Sequence, residues 1–580
     1  MRSESPRSQR ERAVAGAASR RRPAAGRWGG WAAGITLALA IVTIHRVNPR
    51  CFMGFHGVIH TAVTYSILDG DVPPDNPFAS GLPLPYYWMY HLLLAALVRL
   101  LRCPPIAAAE IVNLVAIVTL AATVVSLGRW LLGSLRAGLL VLALVMFGAN
   151  PLGPLFLARR VLSGATSLAI DYRPEFAWHP MIWDMYLGFD APWGSYFPFF
   201  LQPSSRCVAF LAAFLTVGLV CRSLARLSSV RAAGIVVCAA LACAMNPVIG
   251  LGTVSGLIVG LVLVAQPWRR RNPGAVPALW RLVGALLLGP LVAFPAYGQI
   301  AGGESIGFPV VTSAPILLEK GVRVALFAAI PVSLTFVAWR RDVLRRPQLR
   351  VLALAGLALL VASCVTRVRG GREHSLFNQG FALLCLPAAS ACTTRRRGPS
   401  PRSVRRTALA AMVCMAPPAC VCAVAFVHRA PITLQRTGLF VRQVDDADRA
   451  AVYAWLAEQT PSNAVVLFDV RDGPQTAFFK PESEIPAMTR RRLFVDVHGY
   501  LLPQDPRVAE RRSVVAAVFD ASPLTPRQAQ TLRSLNRPLF ALCRSPDDDR
   551  ALTASGNPAL CRMGPYSIYR LSMLDPHSIR

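Results

Sequence analysis

Long apolar runs separated by short polar stretches dominate the first 428 residues. The runs 32–44, 137–149, 254–265 and 351–365 are typical examples. Apolar segments near 20 residues match the hydrocarbon thickness that a helix must cross. The pattern predicts an all-α polytopic membrane domain with about 11 spanning helices. They are expected at 28–44, 110–128, 137–157, 205–222, 232–248, 249–266, 278–298, 321–339, 351–366, 377–393 and 407–427.

The pattern changes near residue 428, after which the long apolar runs stop and acidic and basic residues nearly balance. Residues 448–470 read as an amphipathic helix, a turn and a buried strand, and 506–521 as a second helix. Further strands are expected at 491–500, 537–543 and 566–571. The sequence therefore predicts a small α/β domain over 429–580, after a basic tail at 1–27 and a membrane domain at 28–428.

Composition supports the membrane class and shows that the positive net charge comes from arginine-rich loops. Of the 580 residues, 54% are hydrophobic and 16% are charged, whereas about a quarter are charged in soluble proteins. The formal net charge of +31 comes almost entirely from arginine, since Lys320 and Lys480 are the only lysines. The arginines cluster between apolar runs, as in cytoplasmic loops, so a nucleic-acid partner is rejected. The clusters lie at 2–27, 129–136, 222–231, 269–271, 340–350 and 395–406.

The segment 86–102 decides the orientation. If it crosses the membrane, the arginine clusters from 222 onward fall outside the cell; if it does not, they fall inside. We therefore expect a non-spanning helix there, with interfacial helices in the first external loop. The N-terminus is then cytoplasmic and the 429–580 domain extracytoplasmic.

Three polar segments carry the candidate chemistry. The first polar segment, 54–91, contains three histidines, three aspartates and four tyrosines. The second, 171–206, again mixes acids, aromatic residues and prolines, and the third, 367–380, places three arginines on the predicted external side. The candidates in the first are His56, His60, Asp69, Asp71, Asp75, Tyr86, Tyr87 and Trp88; the second adds Asp171 and Glu175, and the third adds Arg372 and His374.

Each candidate also has a structural interpretation. His56 and His60, spaced i,i+4 on a helix, could bind a metal or make hydrogen bonds at the membrane interface. Asp69 and Asp71 flank a glycine and could cap a turn. The aromatic residues at 86–88 could form an interfacial belt. An external arginine such as Arg372 could contact a lipid headgroup or a bound phosphate.

A family resemblance rests on the first polar segment. A first span, a long loop with acids and then "PPDNPFASGLPLPYYWMYHLLLAAL" resembles the first external loop of GT-C-type membrane glycosyltransferases, closest to their uncharacterised bacterial and archaeal branch. The similarity in residues runs from about His56 to Arg102, and the predicted spans and external C-terminal domain also match. The resemblance implies a multi-pass protein of the bacterial inner membrane that moves a sugar from a polyprenyl-phosphate carrier to an envelope acceptor at the external face.

The resemblance also implies roles for the candidates. The chemistry requires a carboxylate that accepts a proton or holds a divalent cation, and cationic groups that stabilise the departing lipid phosphate. The implied catalytic residues are Asp69, Asp71, Asp75 and Asp171. The implied substrate-binding residues are His56, His60, Tyr86, Tyr87, Trp88, Glu175, Arg372 and His374. The partners are then membrane lipid, a polyprenyl-phosphate-linked sugar and an acceptor that the sequence does not identify.

The chain departs from the family pattern at one position and leaves other functions open. The loop acid of the family usually lies near 54–56, where this chain has no acid. A multi-pass transporter or lipid flippase is the main alternative, although such proteins place charges and broken helices near mid-membrane. The predicted spans have almost none beyond Glu110 and Arg281, with Asn246-Pro247 as the one suspicious break. A catalytically inactive envelope-assembly protein is the third interpretation.

The cysteines predict one covalent link. Of the 14 cysteines, only Cys543 and Cys561 fall after residue 428. An oxidising compartment permits a disulfide, and neighbouring strands could bring the two residues together. We therefore expect a bridge between them in the 429–580 domain.

Overall fold

The computed structural model describes residues 25–47, 55–84, 86–148, 196–201, 203–224, 226–269, 276–297, 310–340, 344, 346–366, 374–393, 447–470, 484–496 and 505–571. Up to residue 393 these ranges are almost entirely helical. The helices are α1 (Ala25–Val47), α2 (Phe55–Leu68), α3 (Met89–Leu101), α4 (Pro105–Leu132), α5 (Leu135–Phe147), α6 (Phe197–Phe200), α7 (Ser205–Ser223), α8 (Ser229–Met245), α9 (Pro247–Arg269), α10 (Val276–Ala293), α11 (Ala314–Phe327), α12 (Ala329–Arg340), α13 (Pro347–Val365) and α14 (His374–Thr393).

The helices confirm the predicted multi-pass membrane fold. Within the described ranges seven of them are long and apolar enough to cross a membrane, namely α1, α4, α7, α9, α10, α13 and α14. The helices α11 and α12 together form an eighth candidate span, bent by 71°, while α5 and α8 are apolar but shorter. The predicted span at 407–427 lies outside the described residues, so the count of eleven stays a prediction.

The helix α3 agrees with the expectation that 86–102 does not cross the membrane. It has 13 residues, which is about 20 Å of helix against a hydrocarbon core of about 30 Å. It ends at Arg102, whose backbone has a left-handed φ of 50°. Pro104 and Pro105 then start α4 at once, because proline cannot continue the preceding helix but fits a helix start.

Small residues let the long helices pack closely. Antiparallel α1 and α4 touch through Gly34, where a Cβ would lie 2.7 Å from the Val118 carbonyl oxygen. The helices α4 and α5 approach at Gly128 and Gly138 in the same way, and α13 and α14 approach at Gly356 and Gly380. Backbone contacts of this kind are the usual packing device between helices in lipid, where burial of apolar side chains gives no preference for protein over lipid.

The helix bundle has two chemically different ends. At one end, which we call the arginine end, the Arg346 side chain donates to the Leu131 carbonyl and the Arg222 guanidinium lies 5.8 Å above the Trp130 ring. We call the other end the polar end. There, His45 of α1 contacts Glu110 of α4 and the carbonyl of Leu201, the first residue after α6. Arginines in helix-terminal turns at the arginine end are Arg129, Arg136, Arg222, Arg231, Arg340 and Arg346.

The C-terminal part is the predicted α/β domain, built around a five-stranded sheet in the described residues. Its elements are α15 (Ala447–Gln459), β1 (Val465–Phe468), α16 (Ile485–Thr489), β2 (Arg492–Leu493), α17 (Pro506–Phe519), α18 (Pro526–Arg533), β3 (Leu539–Cys543), α19 (Pro546–Ala554), β4 (Ala559–Met563) and β5 (Tyr566–Arg570). The strand order is β2-β1-β3-β5-β4, with β1 parallel to β2 and β3, and β5 antiparallel to β3 and β4.

The α/β domain shares its hydrophobic core with the first polar segment. Val58, Val63 and Phe78 from that segment cluster with buried residues of β1 and β3 such as Val466 and Phe540. The backbone joins the two as well: the Leu493 N–H donates to the Pro77 carbonyl and the Ser80 N–H donates to the Leu493 carbonyl, both at 2.9 Å. The domain is therefore seated on the polar end of the bundle.

The predicted disulfide is wrong in this structure. Cys543 on β3 pairs in register with Ser567 of β5, and Cys561 on β4 pairs with Ile568 of β5. The strand β5 thus separates the two cysteines by two strand spacings, about 10 Å, whereas a bridge requires Cα atoms within about 7 Å. The two thiols are not joined. The prediction expected Cys543 at the end of β3 and Cys561 just before the last strand to be brought together by neighbouring strands. It missed β4, an edge strand without a buried face.

Candidate functional site at the polar end

The three aspartates of the first polar segment bind arginines of the α/β domain. The Arg490 Nε donates to Asp69 Oδ1 at 2.7 Å. Arg492 forms ion pairs with both Asp71 and Asp75, at 2.5 Å to the latter. Side-chain exposure of Arg492 is only 9%, so these pairs lie in a partly desolvated junction where they are stronger than on an open surface.

Asp75 is also the centre of a tight turn. Its Oδ1 accepts from the backbone N–H groups of Asn76 at 2.9 Å and Gly81 at 3.1 Å. Gly81 has a φ of +78°, a conformation that favours glycine. A third cation, the Arg537 guanidinium, donates to Asp75 at 3.3 Å and to the Ser80 hydroxyl at 2.7 Å. The sequence motif from 73 to 81 therefore folds a turn that receives the domain.

These contacts give the three acids a docking role. The oxygens that a substrate proton or a metal ion would need are engaged by arginine and backbone donors. Among the described residues, no group of three or more His, Cys, Asp or Glu side chains could hold a metal ion. A divalent cation and a catalytic role of Asp69, Asp71 and Asp75 therefore both stay predictions.

A second group of candidates forms a buried aromatic and imidazole cluster beneath the first polar segment. His60 Nδ1 and His91 Nε2 lie 2.8 Å apart, so one ring donates to the other. Tyr86 stacks on Tyr87 with centroids 4.1 Å apart, and Tyr90 packs edge-on to His60 at 5.0 Å. Burial lowers the pKa of the His91 imidazole to about 3, so this ring is neutral near pH 7. The cluster favours the hydrogen-bonding interpretation of His60 over metal ligation.

A buried polar lock joins three elements at the polar end. His45 of α1 donates from Nε2 to the Leu201 carbonyl at 2.9 Å and faces Glu110 Oε1 of α4 with Nδ1 at 3.5 Å. One turn further along α4, the Asn113 amide donates to the Phe200 carbonyl at 2.6 Å. His45, Glu110 and Asn113 are each 1% exposed. Together they fix the turn between α6 and α7.

The geometry of the lock sets a condition on where protons lie. The Leu201 carbonyl can only accept, so His45 Nε2 carries a hydrogen. A hydrogen bond between His45 Nδ1 and Glu110 Oε1 requires a further proton, on either the imidazole or the carboxyl group. A carboxylate and an imidazole in contact are the usual components of a general acid or base. Ionisable residues buried in membrane helices are functional candidates by default.

The third group lies next to this lock. The Phe199 ring of α6 is parallel to the His374 imidazole, with centroids 6.5 Å apart and a tilt of 7°. The Arg206 guanidinium of α7 lies 5.3 Å from the same Phe199 ring. His374 starts α14 and is 6% exposed. The structure thus brings a residue from the third polar segment against the end of the second.

The other predicted site residues are placed less completely. Trp88 is half-buried at the start of α3, and His56 lies in α2 with its side chain outside the description. Asp171, Glu175 and Arg372 lie outside the described residues. Sequence reasoning missed His45, Asn113 and Arg206, and it noted Glu110 only as a charge within a span. That charge was the available signal, because its burial required a partner.

Comparisons with known proteins find similarity in structure alone. No family model matches the chain. No curated protein matches it. Among solved structures, ArnT from Cupriavidus metallidurans in the apo state aligns with a TM-score of 0.48 at 12% identity, over 93% of this chain and 98% of that one. ArnT from Cupriavidus metallidurans bound to undecaprenyl phosphate aligns with a TM-score of 0.48 at 11% identity, over 92% and 97%.

Proposed function

We propose that the protein is a membrane glycosyltransferase of the GT-C type that takes a sugar from a polyprenyl-phosphate-linked donor. The observation that supports the proposal is that the polar and ionisable residues of several segments lie together at one end of the bundle. The first polar segment, the α/β domain seated on it, the His45–Glu110 pair and His374 all lie at the polar end. The resemblance of the first polar segment to GT-C enzymes supplies the reaction class.

The proposed site faces the outside of the inner membrane. Arginine-rich turns gather at the opposite end of the bundle, and such turns are cytoplasmic in most membrane proteins. A carrier lipid would reach the polar end from the outer leaflet, with its phosphate near the ends of the spans. The acceptor would be an envelope molecule on the same side.

Glu110 with His45 is the proposed proton acceptor among the described carboxylates. Transfer requires that the acceptor hydroxyl lose a proton as it attacks the sugar carbon, while the lipid phosphate departs. Asp69, Asp71 and Asp75 are held by arginines, whereas Glu110 is held by an imidazole that can share a proton. Asp171 is the second proposed carboxylate, from the sequence alone.

The test is turnover of the donor. Full-length protein in liposomes would be given a radiolabelled polyprenyl-phosphoryl sugar together with an envelope lipid extract, and release of polyprenyl phosphate would be measured. We expect Glu110→Gln to lower the rate at least about 100-fold, since general bases contribute about 10²–10⁴. Glu319→Gln is the matched control, because Glu319 is a half-exposed acid of α11 paired with Arg323. Its rate should stay within about twofold, because Glu319 lies on a different helix and pairs only with Arg323 one turn along α11, a type of pair that contributes little. No turnover of any donor by the wild type would contradict the proposal.

One observation favours the transporter or flippase alternative. The helices α11 and α12 form a span bent by 71°, and Lys320 in α11 is 7% exposed and donates to the Thr366 carbonyl at 2.7 Å. Broken helices with buried charges are typical of transport sites. Translocation of a fluorescent polyprenyl-phosphate lipid across the same liposomes, without sugar transfer, would support this alternative.

A further inference from the structure

The helix α7 is enclosed by the bundle except along one narrow stripe. From residue 207 to its end, the residues that are not buried are Leu211, Leu215, Gly218, Leu219 and Arg222. Spacings of three and four place these residues on one face of the helix. The first four are apolar and half-buried, whereas Arg222 is exposed and lies at the arginine end. The open face of α7 is therefore a thin apolar strip that ends in a cation.

This strip is the floor of a groove, which we call the α7 groove (residues 211–222). A Cβ added at Gly218 would meet no atom of the described residues within 4 Å, so the floor there is backbone that faces open space. The helix α8 packs along the strip, since a Cβ at Gly234 would lie 3.2 Å from the Leu219 side chain. At the arginine end, the Arg222 guanidinium lies 5.8 Å from the centroid of the Trp130 ring of α4. The groove is thus apolar along its length and is closed at one end by a cation held against an aromatic ring.

The positive charge at the cationic end of the α7 groove is not balanced by neighbouring acids. Residues 219–232 contain Arg222, Arg226 and Arg231 but no acidic residue, and the 126–137 segment that carries Trp130 has none either. The Arg231 side chain donates to the carbonyls of Arg222 and Arg226 at 3.1 and 3.2 Å, so the three residues share one compact turn. All three are exposed. Cations gathered in this way favour an anion supplied from outside the chain.

The depth of these residues in the bilayer matches the parts of a phospholipid. The helix α7 has 19 residues, about 28 Å of helix, which is close to the hydrocarbon thickness of about 30 Å. Arg222, next to its end, therefore lies at the level of the lipid headgroups, and Gly218 lies about 6 Å deeper, among the acyl chains. Trp130 is 36% exposed, and tryptophan at this level is typical of a membrane interface. A lipid phosphate and an acyl chain thus fit the two parts of the groove.

We propose that the α7 groove binds an anionic glycerophospholipid of the leaflet at the arginine end, with the phosphate at Arg222 and one acyl chain over Gly218 and Leu215. A guanidinium can donate two N–H groups to phosphate oxygens, and bare helix backbone allows an apolar chain to approach closely. A zwitterionic lipid fits less well, because it brings its own cation to a turn that already holds three arginines. The groove lies at the end of the bundle opposite to the polar end, so this inference does not rest on the proposed function.

The experiment measures lipid binding to the full-length protein in detergent by native mass spectrometry, with phosphatidylglycerol and phosphatidylcholine of identical acyl chains. We expect one phosphatidylglycerol to bind more tightly than phosphatidylcholine. Arg222→Gln should weaken phosphatidylglycerol binding by about 5- to 10-fold, the range for one arginine near an anionic lipid, and Arg222→Lys, which keeps the charge, should weaken it less. The matched control is Arg340→Gln, because Arg340 is an exposed arginine of the same end that lies 5.2 Å from the Phe336 ring. This control should bind phosphatidylglycerol as the wild type does.

A second variant tests the groove without changing its charge. Gly218→Leu leaves every arginine in place but fills the open position, so it should also weaken phosphatidylglycerol binding. Unfolding temperatures in phosphatidylcholine nanodiscs control for folding, and both Arg222→Gln and Gly218→Leu should unfold close to the wild type, because Arg222 is exposed and leucine favours a helix more than glycine does. If Arg222→Gln does not fold, Gly218→Leu and Arg222→Lys decide the outcome. Equal binding of the two lipids by the wild type, wild-type affinity in Gly218→Leu, or equal losses in Arg222→Gln and Arg340→Gln would each overturn the proposal.

Discussion

Arg491 and Arg492 are adjacent in sequence but have different partners at the junction of the bundle and the α/β domain. Arg491 is satisfied inside the α/β domain by Thr460 and by the carbonyls of Ala457 and Thr489. Arg492 points out of the domain to Asp71 and Asp75. Alternation along a strand explains the division, because successive side chains point to opposite faces. One residue of β2 therefore ties the domain to the bundle.

Replacing Arg492 tests this junction. Arg492→Gln leaves two partly buried aspartates without their main cation, so we expect the free energy of unfolding of the seated domain to fall by about 2 kcal/mol. The measurements are the thermal midpoint in detergent and the rate of protease cleavage within the α/β domain. Arg550→Gln is the control, because the Arg550–Asp547 pair is about 80% exposed on both sides. That variant should change stability by less than about 0.5 kcal/mol, and equal losses in both variants would contradict the docking role.

At this scale the sequence shows which residues are unusual but not what they contact. Asp69, Asp71 and Asp75 stand out as acids in an arginine-rich chain, and in the structure all three contact arginines of the α/β domain. Their partners are more than 400 positions away, so no local spacing could have indicated a docking role. Glu110 was visible as a charge in an apolar run, while His45 looked like an ordinary residue at a span end.

At the scale of elements, helix contacts in the bundle depend on where glycines meet. Gly138 of α5 faces Val125 of α4 so closely that a Cβ would lie 2.4 Å from the Val125 carbonyl oxygen. A Cβ added at Gly218 of α7 would meet no atom of the described residues within 4 Å. Two glycines in similar apolar helices should therefore respond in opposite ways to the same substitution.

Gly138→Ala should destabilise the bundle by about 1–3 kcal/mol, because α4 and α5 must move apart to admit the methyl group. Gly218→Ala should be neutral or stabilising by up to about 1 kcal/mol, since alanine favours the helix and meets no neighbour. Thermal unfolding midpoints and size-exclusion profiles in one detergent compare the two. A lower midpoint for Gly218→Ala than for Gly138→Ala would show that the α4–α5 contact is wrong.

Elements with a strong local signal were predicted well and those without one were not. The spans, the short helix α3 and the strands β1, β3 and β5 follow from long or buried apolar runs. The strand β4 is an exposed edge, so its side chains carry no burial pattern. Missing it placed Cys543 and Cys561 on neighbouring strands, which produced the wrong disulfide. The bend between α11 and α12 does have a signal, because Pro331 lies four residues after the end of α11, but the sequence prediction did not use it.

At the scale of the whole molecule, the membrane and α/β parts were predictable as separate units but their union was not. Sequence composition changes near residue 428, which indicates two parts. The structure shows one continuous core from α2 through β1 and β3, because the first polar segment presents an apolar surface as well as its acids. The α/β domain therefore packs directly on the polar end of the bundle.

The orientation of the two ends is the last prediction. Ala554 in the α/β domain and Ser229 at the arginine end are both exposed, so a cysteine at either position can react with a membrane-impermeant maleimide. Arginine-rich turns are retained in the cytoplasm, so Ala554→Cys should be labelled in intact cells and Ser229→Cys only after permeabilisation. The unmodified chain gives the background from its own cysteines. Labelling of Ser229→Cys alone in intact cells would reverse the orientation and move the polar end to the cytoplasm. Labelling of both would contradict the placement of the two ends on opposite sides of the membrane.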